Sequence, residues 1–271
     1  MSIALAAALL GAILMAQADG ALNIEPGKQL PQSVIVHVGS GTEARDVTIR
    51  YYLFVPQNYK PTGDKWPLLL FLHGAGESSN DDLSRAKIHG PAKMVESRPD
   101  FPFVLITPQC PPTPGYDPLH PPKEISPQLL DALGHAWKPE ELIKLVDHVA
   151  GKLNIDADHL YVTGLSMGGY GTWRLVAAYP DRFAAAVPIC GGGDADELAK
   201  PLSKVPIWAF HGAKDTTVPP KASRDIVDAV RREHGDIEYT VYPDAGHDAW
   251  TATYNNPKVY DWLLSHRRKS N

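Results

Sequence analysis

Residues 160–180 read LYVTGLSMGGYGTWRLVAAYP. The first four residues, Leu160 to Thr163, form a short β-rich run. Next comes the pentapeptide Gly164-Leu165-Ser166-Met167-Gly168, and then apolar residues at helical spacing. A G-x-S-x-G match alone arises by chance in about one chain of this length in ten. A match between a strand and a helix is more specific. That setting holds a serine in a sharp strained turn, with its hydroxyl at the top of a sheet. The flanking glycines then serve close packing, because no side chain fits where strand and helix approach. Ser166 is the candidate nucleophile.

Outward from this stretch the chain alternates in type. β-rich runs stand at 34–38, 48–55, 67–73, 103–107, 160–163, 184–189, 205–211 and 237–242, and helical patterns separate them from the third onward. LLLFLH, FVLIT, AAAVPIC and VPIWAFH are nearly continuous apolar runs, as parallel strands covered on both faces require. The first two runs alternate more and predict an antiparallel edge hairpin. Residues 140–153, 222–234 and 256–267 carry apolar residues at helical spacing, and Gly235 is placed for a left-handed helix terminus. The pattern predicts the α/β-hydrolase fold: an eight-stranded, mostly parallel sheet with helices on both faces. Ligands of such sheets bind at the carboxyl ends of the strands, so functional residues should follow strands directly.

A serine hydroxyl needs a base, and the base needs an orienting acid. In this fold their chain order is serine, acid, histidine. Asp215 follows the run at 205–211 in HGAKDTTVP, and His247 follows the run at 237–242 in PDAGHDAW. Asp194 is the rival acid, after the sixth strand. Asp244 and Asp248 are too near His247 in sequence to reach its ring easily. His211 precedes the acid and reads as a group bonding the acid loop. The chain has eleven histidines, and the others fail on order or placement. For the oxyanion, the elbow offers the Met167 N–H, and the turn His73-Gly74-Ala75-Gly76 after the third strand offers Ala75, with Gly74 the alternative.

Composition sets the class. With 44% hydrophobic and 21% charged residues, the chain can bury a sizeable core. A net charge of −5 lacks the basic footprint of a nucleic-acid binder, which leaves a small or neutral substrate. No metal-ligand spacing, phosphate loop or cofactor fingerprint is present, so the expected chemistry uses no cofactor. Residues 3–15 form an apolar run followed by Ala16-Gln17-Ala18. This reads as a secretory signal at 1–18 ahead of a single catalytic domain at 19–271, implying a secreted or periplasmic protein free of the membrane. The two cysteines, Cys110 and Cys190, end strands that the usual order holds two strands apart, about 14 Å, so they should not pair.

The segments YVTGLSMGGYGTWRLVAAYPDRFAAAVPICGGGD, PIWAFHGAKDTTVP and YPDAGHDAWTATYNNPKVYDWLLSHRR, with PQCP at 108–111, resemble bacterial secreted hydrolases often labelled predicted peptidases. These are related to polyhydroxybutyrate-depolymerase-like and feruloyl-type esterases, and more distantly to the prolyl oligopeptidase catalytic domain. The resemblance covers most of residues 65–268. It implies Ser166, Asp215 and His247 as a triad and carboxylic esters, small or polysaccharide-linked, as substrates, with a peptidase of prolyl-oligopeptidase type as the alternative. The sequence departs from these relatives at 112–137, a proline-rich segment too long for an ordinary connection and placed to act as a lid or binding loop. Its prolines predict irregular structure. Trp137, Trp250 and Tyr254 are candidates to line an aromatic acyl site.

Overall fold

Residues 20–117, 119–120, 122 and 126–268 are described by the computed structural model. The expected leader at 1–18 lies outside them. Eight strands form one sheet: β1 (Gln29–Val38), β2 (Arg45–Phe54), β3 (Trp66–Leu72), β4 (Val104–Pro108), β5 (Ile155–Leu165), β6 (Ala185–Ile189), β7 (Ile207–Gly212) and β8 (Ile237–Tyr242). Their order is β1-β2-β4-β3-β5-β6-β7-β8. β2 runs antiparallel to both β1 and β4, and all other pairs are parallel. The edge hairpin and the parallel body match the sequence reading, although β1 begins five residues earlier than its alternation suggests.

Continuous apolar strands reflect two buried faces. Successive side chains point to opposite sides of a strand, so Leu68, Leu70 and Leu72 of β3 enter one core and Leu69 and Phe71 the other. Val146 and Val149 of α3 (Pro139–Ala150), Trp173 and Val176 of α4 (Met167–Ala178), and Ile226, Val227 and Val230 of α6 (Lys221–Arg232) close the first core. Ala92 of α1 (Gly90–Met94), Tyr254 of α7 (Trp250–Tyr254) and Val259 and Leu263 of α8 (Pro257–Leu264) close the second. The remaining helices, α2 (Pro127–Gly134) and α5 (Ala195–Leu202), add Leu133 and Leu198, Ala199 and Leu202 to the first core.

Three local expectations need correction. Residues 112–137 are not irregular throughout, because α2 forms within them. Pro127 occupies the first helical turn, where a missing N–H costs nothing, and the Ser126 hydroxyl accepts the Leu129 N–H. The left-handed residue after α6 is His234, at φ +59°, rather than Gly235. Gly235 answers a packing demand: a Cβ there would stand 2.5 Å from Val230 Cγ1 and 2.7 Å from Ser203 Cα. Trp137 and Tyr254, expected to line an acyl site, are buried. Cys110 and Cys190 are both free and buried, with β3 and β5 between the strands they follow.

Candidate active site

β5 hands directly to α4 through Ser166, whose backbone lies at φ +52° and ψ −118°. A non-glycine residue holds such a conformation only where its surroundings impose it. Here the Ser166 N–H donates to the Ile189 carbonyl (2.9 Å) and its carbonyl accepts the Tyr170 N–H (3.0 Å). The glycines do what the motif requires. A Cβ on Gly164 would stand 2.3 Å from the Gly168 carbonyl oxygen, and one on Gly168 would stand 2.0 Å from that of Leu72. Met167 opens α4, so its N–H has no carbonyl within the helix to bond.

The carboxyl ends of β7 and β8 bring the other two residues to the serine. His247 Nε2 lies 2.9 Å from Ser166 Oγ, and its Nδ1 lies 2.7 Å from Asp215 Oδ2. Asp215 Oδ1 accepts the N–H groups of Thr217 (2.9 Å) and Val218 (3.0 Å), while Oδ2 also meets His211 Nε2 at 3.2 Å. Burial pushes the Asp215 carboxyl upward, but hydrogen bonds from His211 and His247 outweigh it and hold the group well below the usual carboxylate range. The fully buried His211 also bonds Ser223 Oγ (2.8 Å) and the Val218 carbonyl (2.9 Å), tying the acid loop to α6. The rival acids are engaged elsewhere. Asp194 caps α5 through the Asp196 and Glu197 N–H groups, Asp244 pairs with Lys214, and Asp248 accepts the Thr251 N–H.

Cys190, His211 and Asp215 place potential metal-ligand atoms within 4.8 Å of one another. Burial pushes the Cys190 thiol up to about 12, and its S–H donates to the His247 carbonyl (3.2 Å). A thiol protonated at neutral pH is a poor ligand, and this cluster reads as support for the acid.

After β3 the chain turns through His73 and Gly74 into a short 3₁₀ turn, Ala75–Glu77. The Gly74 N–H donates to Glu77 Oε2 at 2.7 Å, which removes Gly74 as a free donor. Ala75 is the first residue of that turn, and its N–H therefore has no acceptor within the turn. His73 anchors the turn. Its Nε2 accepts the Cys110 N–H (3.1 Å), which fixes the proton on Nδ1, where it reaches the Gly74 carbonyl (2.7 Å). Burial lowers the His73 pKa to about 4, so the ring is neutral.

Above Ser166 lies a cavity of about 200 Å³ lined by the elbow, the Gly74–Glu77 turn, Tyr116, Leu130, Leu133, Tyr170, His247 and Trp250. Trp250 stands against His247, ring to ring at 5.2 Å and nearly perpendicular. Trp137 and Tyr254 are not part of the cavity wall. Trp137 is buried beneath the turn, donates to the His73 carbonyl (3.3 Å) and fills the space that Gly171 leaves open. Tyr254 is a core residue whose hydroxyl meets Thr163 Oγ1 (3.0 Å) and whose ring meets Phe71 edge-on. Aromatic type alone does not separate these fates, because burial depends on which helix face meets the sheet. Glu77 escaped the sequence reading, as did Tyr170, Leu130 and Leu133. An acid three residues after Gly74, in the turn that follows the third strand, was the available signal for Glu77.

A family model described as the dienelactone hydrolase family matches residues 123–262. The chain is 33% identical over 141 residues to a candidate carboxymethylenebutenolidase of Salmonella typhimurium, covering 47% of this chain and 51% of that protein. It is 30% identical over 160 residues to poly(3-hydroxyalkanoate) depolymerase C of Paucimonas lemoignei, covering 45% and 37%. The chain thus spans about half the length of these relatives or less. Among solved structures, that of a thermostable esterase superposes with a TM-score of 0.63 at 32% identity, over 86% of this chain and 63% of the other. The matched region spans just over half the chain and contains Ser166, Asp215 and His247, so the chain belongs to the dienelactone hydrolase family of α/β hydrolases.

Proposed function

We propose that this protein hydrolyses carboxylic esters through a serine acyl-enzyme. The observation that carries the reading is the unbroken relay from Ser166 Oγ through both nitrogens of His247 to Asp215, seated on a strained elbow. Ser166 Oγ attacks the ester carbonyl while His247 Nε2 takes its proton. Asp215 holds the resulting imidazolium through Nδ1–H. The Met167 and Ala75 N–H groups receive the oxyanion, a pair of donors of which each is worth about 10²- to 10³-fold in rate. Collapse releases the alcohol, protonated by His247. Water then attacks the acyl-enzyme, losing its proton to His247, and the carboxylic acid leaves as His247 returns that proton to Ser166 Oγ.

Cavity size argues for a small acyl group. A 150 Å³ apolar cavity accommodates benzene, so about 200 Å³ suits a short chain or one ring. Among the described residues no helix is long and apolar enough to cross a membrane. Export through the segment at 1–18, followed by action on small or polysaccharide-linked esters, completes the proposal. The test is a panel of p-nitrophenyl esters from acetate to longer chains, with methyl ferulate and peptide anilides alongside. Turnover of anilides but not esters would overturn the reading in favour of a peptidase.

A further inference from the structure

The wall of the cavity carries one carboxyl group, that of Glu77. Its described lining is apolar or neutral apart from His247 and Glu77, and no lysine or arginine belongs to it. Glu77 is nearly buried, with its side chain 8% exposed. Oε2 accepts the Gly74 N–H, and Oε1 lies 3.6 Å from His89 Nε2. The carboxyl is close to the chemistry. The point where a Cβ on Gly74 would stand lies 2.9 Å from Glu77 Oε2 and 3.6 Å from Ser166 Cβ. One short side chain thus separates carboxylate from nucleophile. Arg85, which bonds the Gly76 carbonyl, and His89 both favour the charged form of Glu77, but neither lines the cavity.

Resting on the esterase reading, we propose that Glu77 sets acyl selectivity: the site accepts neutral acyl groups, favours those with a hydroxyl that can donate to Oε1, and rejects those bearing a carboxylate. An anionic acyl group would lie against a second anion in a desolvated wall, with no cation among the described lining residues to offset either. Like-charge juxtaposition in such a place is strongly unfavourable. A hydroxyl instead donates to the carboxylate without bringing a second charge.

Three methyl esters of similar reach test this: methyl 4-methylpentanoate, methyl 4-hydroxybutanoate and monomethyl succinate. With methanol as the common alcohol, only the acyl group can fill the cavity. For the wild type, kcat/KM should be highest for the hydroxy ester and lowest for the succinate by at least about tenfold. Glu77→Gln should raise the ratio of succinate to 4-methylpentanoate turnover by about tenfold or more, whatever happens to the overall rate. Glu77→Asp, which keeps the charge, should preserve the discrimination. A Glu77 role confined to holding the Gly74 turn would scale all three esters together, and that result overturns the proposal. So does a wild type that cleaves monomethyl succinate as fast as the neutral ester, a measurement that needs no variant to fold. Failure on every ester, or turnover surviving in Ser166→Ala, would bring down the esterase reading itself and this inference with it.

Discussion

Four donors converge on the carboxylate of Asp215, and only one of them, His247, faces the serine. Asp215→Asn leaves the shape but sets an amide against the imidazole, so its ester kcat should fall by about 10⁴-fold, the loss known for this change in a serine triad. Asp194→Asn alters only a helix cap and should cost about 1 kcal/mol or less of stability, with little effect on rate. Steady-state kinetics on the two variants separates the assignments, and a larger loss for Asp194→Asn would reverse them. Ser166→Ala should lose nearly all ester turnover while keeping its circular dichroism spectrum, since Ser166 Oγ bonds only His247. Activity above about a hundredth of wild type would exclude Ser166 as the nucleophile. The order serine, acid, histidine was legible in the sequence because each residue directly follows a strand. The placement of Glu77 was not legible, because it comes from a turn that folds the side chain back onto Gly74.

Elements decide which aromatic residues serve the site. Trp137 begins the approach to α3 and is buried under the Gly74–Glu77 turn, touching His73 and Gly171. Trp137→Ala should therefore cost about 3–5 kcal/mol of stability, as a large buried aromatic does. Chemical denaturation checks this, and a cost below 1 kcal/mol would restore Trp137 as a surface binding residue. α2 works differently, since it brings Leu130 and Leu133 to the cavity wall. Leu130→Ala should shift the ratio of kcat/KM for hexanoate over acetate esters toward the longer chain by about fivefold or more, because a removed isobutyl group leaves room for added methylenes. An unchanged ratio would mean that the 112–137 segment borders the site without shaping selectivity. That segment was marked as a binding loop by its length and position. Its helix was hidden by its prolines, one of which starts the helix rather than breaking it.

At the scale of the molecule, acid should loosen the fold through His73, which clamps the end of β3 to the end of β4. Burial lowers its pKa from 6.5 to about 4. The unfolded chain therefore takes up this proton first as pH falls. His73 contributes nothing to pH dependence above about 6.5, and stability is lost between about 6.5 and 4, by a total of about 3 kcal/mol. Asp215, held well below the carboxylate range, acts lower: its contribution disappears only as pH falls further through its own folded value. Glu77 opposes His73, because burial raises its pKa and protonation at acid pH relieves that cost. The difference in thermal midpoint between wild type and His73→Gln, followed from pH 7 to 4.5, isolates the histidine. The variant should show the flatter profile, and parallel profiles would refute the assignment. Both thiols should titrate with Ellman's reagent in denaturant without reductant, as two intervening strands require.

The sequence by itself determined the fold and the order of the relay, because both follow from local pattern: apolar runs long enough to bury both faces of a strand, and a glycine-flanked serine where a strand becomes a helix. Tertiary structure decided what lines the cavity. Trp137, Trp250 and Tyr254 are alike in composition and near the site in sequence, yet only Trp250 reaches the cavity wall. A side chain's surroundings are fixed by what packs over it from distant parts of the chain, and no local pattern encodes that. The buried carboxyl of Glu77 close to Ser166 exists only once β3, its turn and α4 are brought together.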